Sequence, residues 1–311
     1  MPTELIQLLL NGLSVGSMYA LFALGYTLVF SVLGVINFSH GAVFTLGAYF
    51  TFLLIGGNVG SNGLLAGFQL PFALPFWLAL VLAGLGSALV ALVIERVAFQ
   101  PLRQRGADPL LALITSLGAG VILVNLIQLL MGAESHAIPT SSLGNLPAAL
   151  NIGGAMVRTV QVLLLAIAAA LVVALTAWIE GSRSGKALQA VSEDPITAQL
   201  LGINSSRMIQ VAFGLGGFLA GIAGGLVGLS VSIAGPYFGI GYGLKGLGVL
   251  VLGGLGSVPG AVLGGLIIGL AEACVPADFS GYKDAVSYGF LFLMLLIRPQ
   301  GLLGRALPNK V

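Results

Sequence analysis

From Leu5 to Val35 the chain carries no charged side chain. A run of that length leaves little freedom of fold. About 20 apolar residues cross a ~30 Å hydrocarbon layer as an α-helix, and in lipid every backbone amide must be paired inside its own helix or within a closed barrel. Comparable runs follow at Ala42–Ile55, Phe72–Ile94, Leu110–Met131, Val160–Ile179, Met208–Ile233, Leu244–Val275 and Tyr282–Ile297. A membrane barrel would instead show ~10-residue alternating segments. Charged residues make up 7% of the 311, against ~25% in a typical soluble domain. The expected fold class is all-α: a polytopic integral membrane protein of about eight transmembrane helices, in one domain over residues 1–311. Met1–Glu4 lacks a positive flank and the first run is too long for a signal-peptide core, so that run is read as a retained span.

Two places interrupt the apolar pattern. Asn37-Phe38-Ser39-His40-Gly41 is a polar break, and Gly253–Gly260 packs four glycines and a proline into eight residues. Such a stretch is hostile to a continuous helix. Residues 244–275 are therefore expected as a broken or re-entrant element. Non-helical backbone at membrane depth survives only when buried in protein or lining a polar cavity. Both breaks are thus candidates for a translocation path, through Asn37, Ser39, His40, Gly41, Gly256 and Ser257. Glu272 joins them because an intramembrane carboxylate is a functional candidate by default. Plainer roles stand beside these: His40 satisfying loop carbonyls, Asn37 and Ser39 capping the next helix, Glu272 reaching an interface. Asn125 and Gln128 are read as hydrogen-bonding between helices. Both breaks precede Gly-Ala-Val, an echo of the repeats in many transporters, though chance is a rival in so Gly-rich a chain. Gly214, Gly217, Gly221, Gly224, Gly225 and Gly228 recur at helical spacing as a stripe for close packing. The single cysteine, Cys274, excludes an internal disulfide and reads as inert packing.

Basic residues orient the chain. Arg96, Arg103 and Arg105, then Arg183, Lys186 and Arg207, then Arg298, Arg305 and Lys310 place three segments on the cytoplasmic side, nine of the twelve Lys and Arg. Arg158, Lys245 and Lys283 fall outside. Parity then requires residues 244–275 to begin and end on the outer side, turning near Gly253–Gly260. The N-terminus lies outside, the C-terminus is cytoplasmic, and Asn37–Gly41 lies near the inner face or at depth.

The one long polar stretch is Glu180–Arg207, with Glu180, Arg183, Lys186, Glu193, Asp194 and Arg207. Ser184 can cap a helix from Gly185 to about Val191. Asp194-Pro195 can open a second helix, which Gly202 ends. The pair offers Leu200, Leu201 and Ile203 as a small apolar ridge, either a docking element or an ordinary solvated loop. The segment Gly181–Ala187 is not a phosphate loop, because Glu180 and Ala187 stand where that motif needs Gly and Ser or Thr. His40 and His136 make no metal set, no cofactor is expected, and the net charge of +2 points to no nucleic acid. The scarcity of charge in the spans disfavours ion-coupled transport and favours a pore-like body driven from outside the membrane.

Three stretches, Gly12–Tyr49, Gly185–Ile203 and Gly246–Gly269, together resemble the membrane permease subunits of bacterial high-affinity branched-chain amino acid ABC importers over essentially the whole length. The resemblance implies a non-enzymatic subunit of the bacterial inner membrane, paired with a second homologous permease. Two cytosolic ABC ATPases would drive it and a periplasmic solute-binding protein would feed it. Gly185, Ala190, Glu193, Asp194, Ala198, Gly202 and Ile203 match the family's ATPase-coupling motif. The implied substrates are leucine, isoleucine, valine or other neutral amino acids, with selectivity residing in the binding protein. Related permeases take urea or short amides, and a stand-alone channel or secondary carrier is the rival reading.

Overall fold

The apolar runs become helices close to their expected bounds. The computed structural model describes residues 2–304 except 145, 148, 153 and 154; the basic residues Arg305 and Lys310 lie outside the described residues. The long helices are α1 (Pro2–Leu33), α3 (Phe76–Ile94), α5 (Pro109–Met131), α6 (Thr159–Gly181) and α9 (Ser205–Ser230). A π-turn at Glu95–Phe99 carries α3 on into the short α4 (Gln100–Gln104). Among the described residues these five are long and apolar enough to cross a membrane. Two shorter apolar helices join them, α2 (His40–Leu54) and α12 (Lys283–Ile297).

The glycine-rich region folds as expected into a broken pair. α10 (Phe238–Gly253) and α11 (Val258–Ala273) meet at 117° across a four-residue break. The first arm begins at Phe238, ahead of the expected Leu244, because Gly239, Gly241 and Gly243 are tolerated in a packed helix. Each arm of 16 residues is about 24 Å long. At the tip, Gly253 and Gly260 touch backbone to backbone. A later segment closes the tip: Leu302 N–H donates to Leu252 O and Leu303 N–H to Gly253 O, each at 2.9 Å.

Helix α9 is the centre of the bundle, packed against α1, α2 and α3. Its glycine stripe serves two neighbours: Gly217 faces Ser87 and Ala91 of α3, while Gly224 faces Phe44 of α2. Helix α11 lies along α1 through a second small-residue seam. A Cβ on Gly269 would fall 2.2 Å from Gly16 N and 2.6 Å from Gly12 O. In lipid there is little hydrophobic drive between helices, so such close packing is what holds them together. Gly269→Val is therefore expected to lower stability by about 2 kcal/mol or more, read as a drop in melting temperature in detergent. Gly118→Ala, with open space around it, should leave it unchanged.

The outer faces of α3 and α5 are apolar and exposed, with Leu85, Leu89, Val93, Leu110, Ile114 and Ile122 among them. Between α5 and α6 lies the only sheet among the described residues, a hairpin of β1 (Ala149–Ile152) and β2 (Ala155–Arg158). In the same loop Glu134 accepts hydrogen bonds from Ser61 Oγ at 2.8 Å and Asn62 Nδ2 at 2.6 Å. The Ser61 hydroxyl holds the Glu134 carboxyl below its ordinary value. Cys274, expected in packing, is exposed at the end of α11.

Candidate functional site

The polar stretch folds as two short helices between α6 and α9: α7 (Arg183–Glu193) and α8 (Pro195–Leu200). The cap of α7 is Ser182 rather than Ser184. Ser182 Oγ accepts the Gly185 N–H at 2.9 Å, and the helix starts earlier because α6 delivers the chain directly into it. Gly185, Leu188 and Val191 are buried, three apolar positions on one face. Gly185 sits on the carbonyls of Trp178 and Ile179, where a Cβ would fall 2.4 Å from each oxygen. Ala190 is half-buried against the core.

Asp194 caps α8 as expected, Oδ1 accepting from Ile196 N at 2.9 Å and Thr197 N at 3.2 Å. Gly202, at φ +85°, turns the chain through a conformation that favours glycine. That turn sends Ile203 inward, where its N–H donates to Ala198 O and its side chain packs on the core. Ile203 is therefore not on the ridge. The outward residues are Ile196, Leu200 and Leu201, 73%, 83% and 75% exposed, while Ala198 is buried beneath them. Glu193, Asp194 and Gly202 are exposed at the edges of the pair.

This knob is tied into the bundle. Ser205 Oγ donates to Pro195 O at 3.1 Å, joining α8 to the first turn of α9. Arg103 Nη2 donates to Ser206 Oγ at 3.1 Å and pairs with the fully buried Glu95 at 3.0 Å. Hydrogen bonds thus link α8 to α9, the central helix, and α9 to the extension of α3.

The first break is buried within the bundle, with Asn37, Ser39 and His40 all enclosed. His40 stands between Phe22 and Tyr26, ring centroids 5.0 and 4.7 Å away, with Nε2 3.3 Å from Phe22 O. Tyr26 precedes the end of α1 by seven residues, about 10 Å along the axis. Asn37 Oδ1 accepts from Ser39 N at 3.2 Å and Ser39 Oγ at 2.6 Å. The Ser39 hydroxyl is thereby spent within the break, and it does not cap α2. Gly41 abuts Gly239, whose N–H donates to Thr45 Oγ1 at 2.9 Å.

The two breaks do not meet. The first touches the start of α10, whereas Gly256 lies near Ser31 and Ser257 caps α11 by accepting Gly260 N–H at 3.2 Å. Beside the first break is a cavity of about 280 Å³. Tyr26, Phe38 and Gly41 form one wall, Leu117 to Asn125 of α5 another, and Tyr237 to Leu244 around the start of α10 the third. No ionisable carboxylate, amine or imidazole lines it.

Comparison with known proteins decides the family. Residues 8–298 match the family described as branched-chain amino acid transport system / permease component. The chain belongs to this permease family. It is 40% identical over 310 residues to the high-affinity branched-chain amino acid transport system permease protein BraD of Pseudomonas aeruginosa, covering 98% of each chain. It is 38% identical to LivH of the same description from Escherichia coli K12, covering 98% of this chain and 97% of that one. A weaker relative is LivM of Salmonella typhimurium, a permease protein of the same printed description, 28% identical over 94% of this chain and 69% of that one. No solved structure matches.

One feature of this permease was not legible as a group. Lys245, expected outside, belongs to α10 and pairs with Glu272 at 2.9 Å and Asp284 at 2.7 Å. Its Nζ also donates to Tyr19 Oη at 3.0 Å, and Tyr19 Oη donates to Glu272 Oε2 at 2.6 Å. Ser287 donates to Glu272 as well. The spans are therefore not nearly chargeless. They hold this network, which joins α1, α10, α11 and α12, and the Glu95–Arg103 pair. Glu272 is saturated by partners and stands apart from the cavity. Only the spacing of Lys245 and Glu272 toward the inner faces of two helical arms could have signalled it. Asn125 does not bond between helices as expected: its Nδ2 donates to Val121 O of its own helix at 2.8 Å.

Proposed function

We propose that this chain is the inner-membrane permease subunit of a bacterial ABC importer for branched-chain or other neutral amino acids. Two cytosolic ATPases energise it, a second homologous permease completes the pathway, and a periplasmic solute-binding protein delivers substrate. The observation that carries this reading is the exposed Ile196–Leu200–Leu201 ridge. A contiguous exposed apolar patch marks an interaction surface, and the helix that bears this one is hydrogen-bonded through its Pro195 carbonyl to the central helix. Closure of the ATPases against α7 and α8 would move α9 and the α3 extension together and open the path outward. Gly185, Ala190, Ala198 and Ile203 shape the knob from within. Asp194 and Gly202 fix the entry and exit of α8, and Glu193 stands at its edge. The 28% identity to LivM supports a related second permease of similar fold.

The test is ATP-driven uptake of labelled leucine in proteoliposomes holding both permeases, the ATPases and the binding protein. Deleting 193–203 is expected to leave a membrane-inserted chain that no longer co-purifies with an ATPase. Uptake by this chain alone without ATP would establish the channel or carrier instead. Uptake of urea in preference to leucine would establish the amide permease.

Orientation is tested by cysteine labelling. Cys274 is expected to react with a membrane-impermeant maleimide from the outer side of intact cells, as are cysteines introduced at Gly235 and Pro276 in a Cys274→Ser background. Labelling of Cys274 only after permeabilisation would place the α10–α11 ends on the inner side and invert the assignment.

A further inference from the structure

The cavity beside the first break shares no residue with the α7–α8 knob, and its chemistry is specific. It lies level with the middle of α5: Gly120, one of its wall residues, is the central residue of Pro109–Met131. Its walls are almost wholly apolar, from Phe38, Leu117, Val121, Val124 and Leu244. Asn125 lies on the same wall, exposed, and its amide oxygen makes no hydrogen bond among the described residues. An amide so placed is unfavourable against hydrocarbon and is found where a helix faces water or protein. Tyr26 Oη, against the wall at Gly243, likewise makes none among the described residues. The exposed Leu117, Val121, Ile240 and Leu244 show that the cavity opens sideways, between α5 and α10, out of this chain.

We infer that this cavity is a side-chain subsite for the transported amino acid, open toward the second permease. The inference rests on the importer reading above. An apolar box takes an aliphatic side chain. The Tyr26 hydroxyl and the Asn125 amide meet the polar end of the substrate with neutral groups only. Without a fixed opposite charge the zwitterion is not trapped, which suits a site that must also release its ligand. Selectivity then resides in the permease as well as in the binding protein.

The experiment uses the complete reconstituted importer with saturating binding protein and measures initial ATP-driven uptake of labelled leucine, alanine and phenylalanine. The binding protein is the same throughout, so a changed ratio belongs to the permease. One methylene in an apolar pocket discriminates by roughly 10- to 200-fold. Leu117→Trp, which narrows the mouth, is expected to lower the leucine-to-alanine ratio about 10-fold. Val124→Ala, which deepens the box, is expected to raise phenylalanine relative to leucine by a similar factor. Unchanged ratios in assemblies that still transport would overturn the subsite. If Leu117→Trp does not assemble, Val124→Ala decides alone. Failure of the unaltered assembly to import any neutral amino acid would instead overturn the importer reading.

Discussion

Leu200→Asp with Leu201→Asp is expected to abolish ATP-driven uptake while leaving the permease folded in the membrane. Both side chains are mostly exposed, so the change costs the monomer little. At an interface the outcome differs. Well-buried anchor residues each contribute about 2 kcal/mol or more to binding, and a tenfold change in affinity corresponds to about 1.4 kcal/mol. Two such anchors replaced by carboxylates should weaken ATPase association by roughly 1,000-fold. Co-purification of tagged ATPase with the variant measures it directly. Ile203→Asp is the informative contrast: it places a charge against the core and should lower the melting temperature as well. Normal co-purification and uptake by the double aspartate variant would remove the ridge from the coupling role.

The second large effect concerns the ion network. Lys245→Met leaves Glu272 and Asp284 without their shared cation. Breaking one side of a buried ion pair typically costs 3–5 kcal/mol, whereas replacing the whole pair by apolar residues is often neutral. Lys245→Met and Glu272→Met are each expected to lower stability by about 3 kcal/mol or more. The double variant Lys245→Met/Glu272→Met should recover most of that loss. Thermal unfolding in detergent compares the three. The double variant should also retain ATP-driven uptake, since no residue of the network lines the cavity, although Lys245 follows the wall residue Leu244, and the network itself ties helices together. Loss of uptake in a stable double variant would mean that the charges take part in transport, which would reopen ion coupling.

The helices were legible because lipid imposes one rule on every span, and runs such as Leu110–Met131 and Val160–Ile179 obey it almost to the residue. The break at Gly253–Gly260 was legible for the converse reason: few backbones accept that many glycines as a continuous helix. What could not be read was which elements meet. The contact of Gly41 with Gly239 brings together two backbones far apart in the chain, and no side-chain pattern announces it. The partners of Lys245 sit on three other helices, and a loop-by-loop count of charge cannot see them. Ile203 was misplaced because Gly202 reverses the chain just before it, which helical spacing does not anticipate. The cavity was invisible for a related reason. Its walls are ordinary apolar residues, and only their convergence with Tyr26 and Asn125 sets the cavity apart.

The closure of the α10–α11 tip by Leu302 and Leu303 has a consequence for biosynthesis. Those residues leave the ribosome about 50 positions after the backbone carbonyls they bond, a delay of several seconds at ~5–20 residues per second. During that interval the glycine tip is held by its own arms and by α1, with Leu252 and Gly253 still lacking their final partners. The tip of the hairpin is therefore completed only after Leu302 and Leu303 are made. A translational pause or a bulky fusion just beyond residue 304 would act on this late seam before it touched any transmembrane helix.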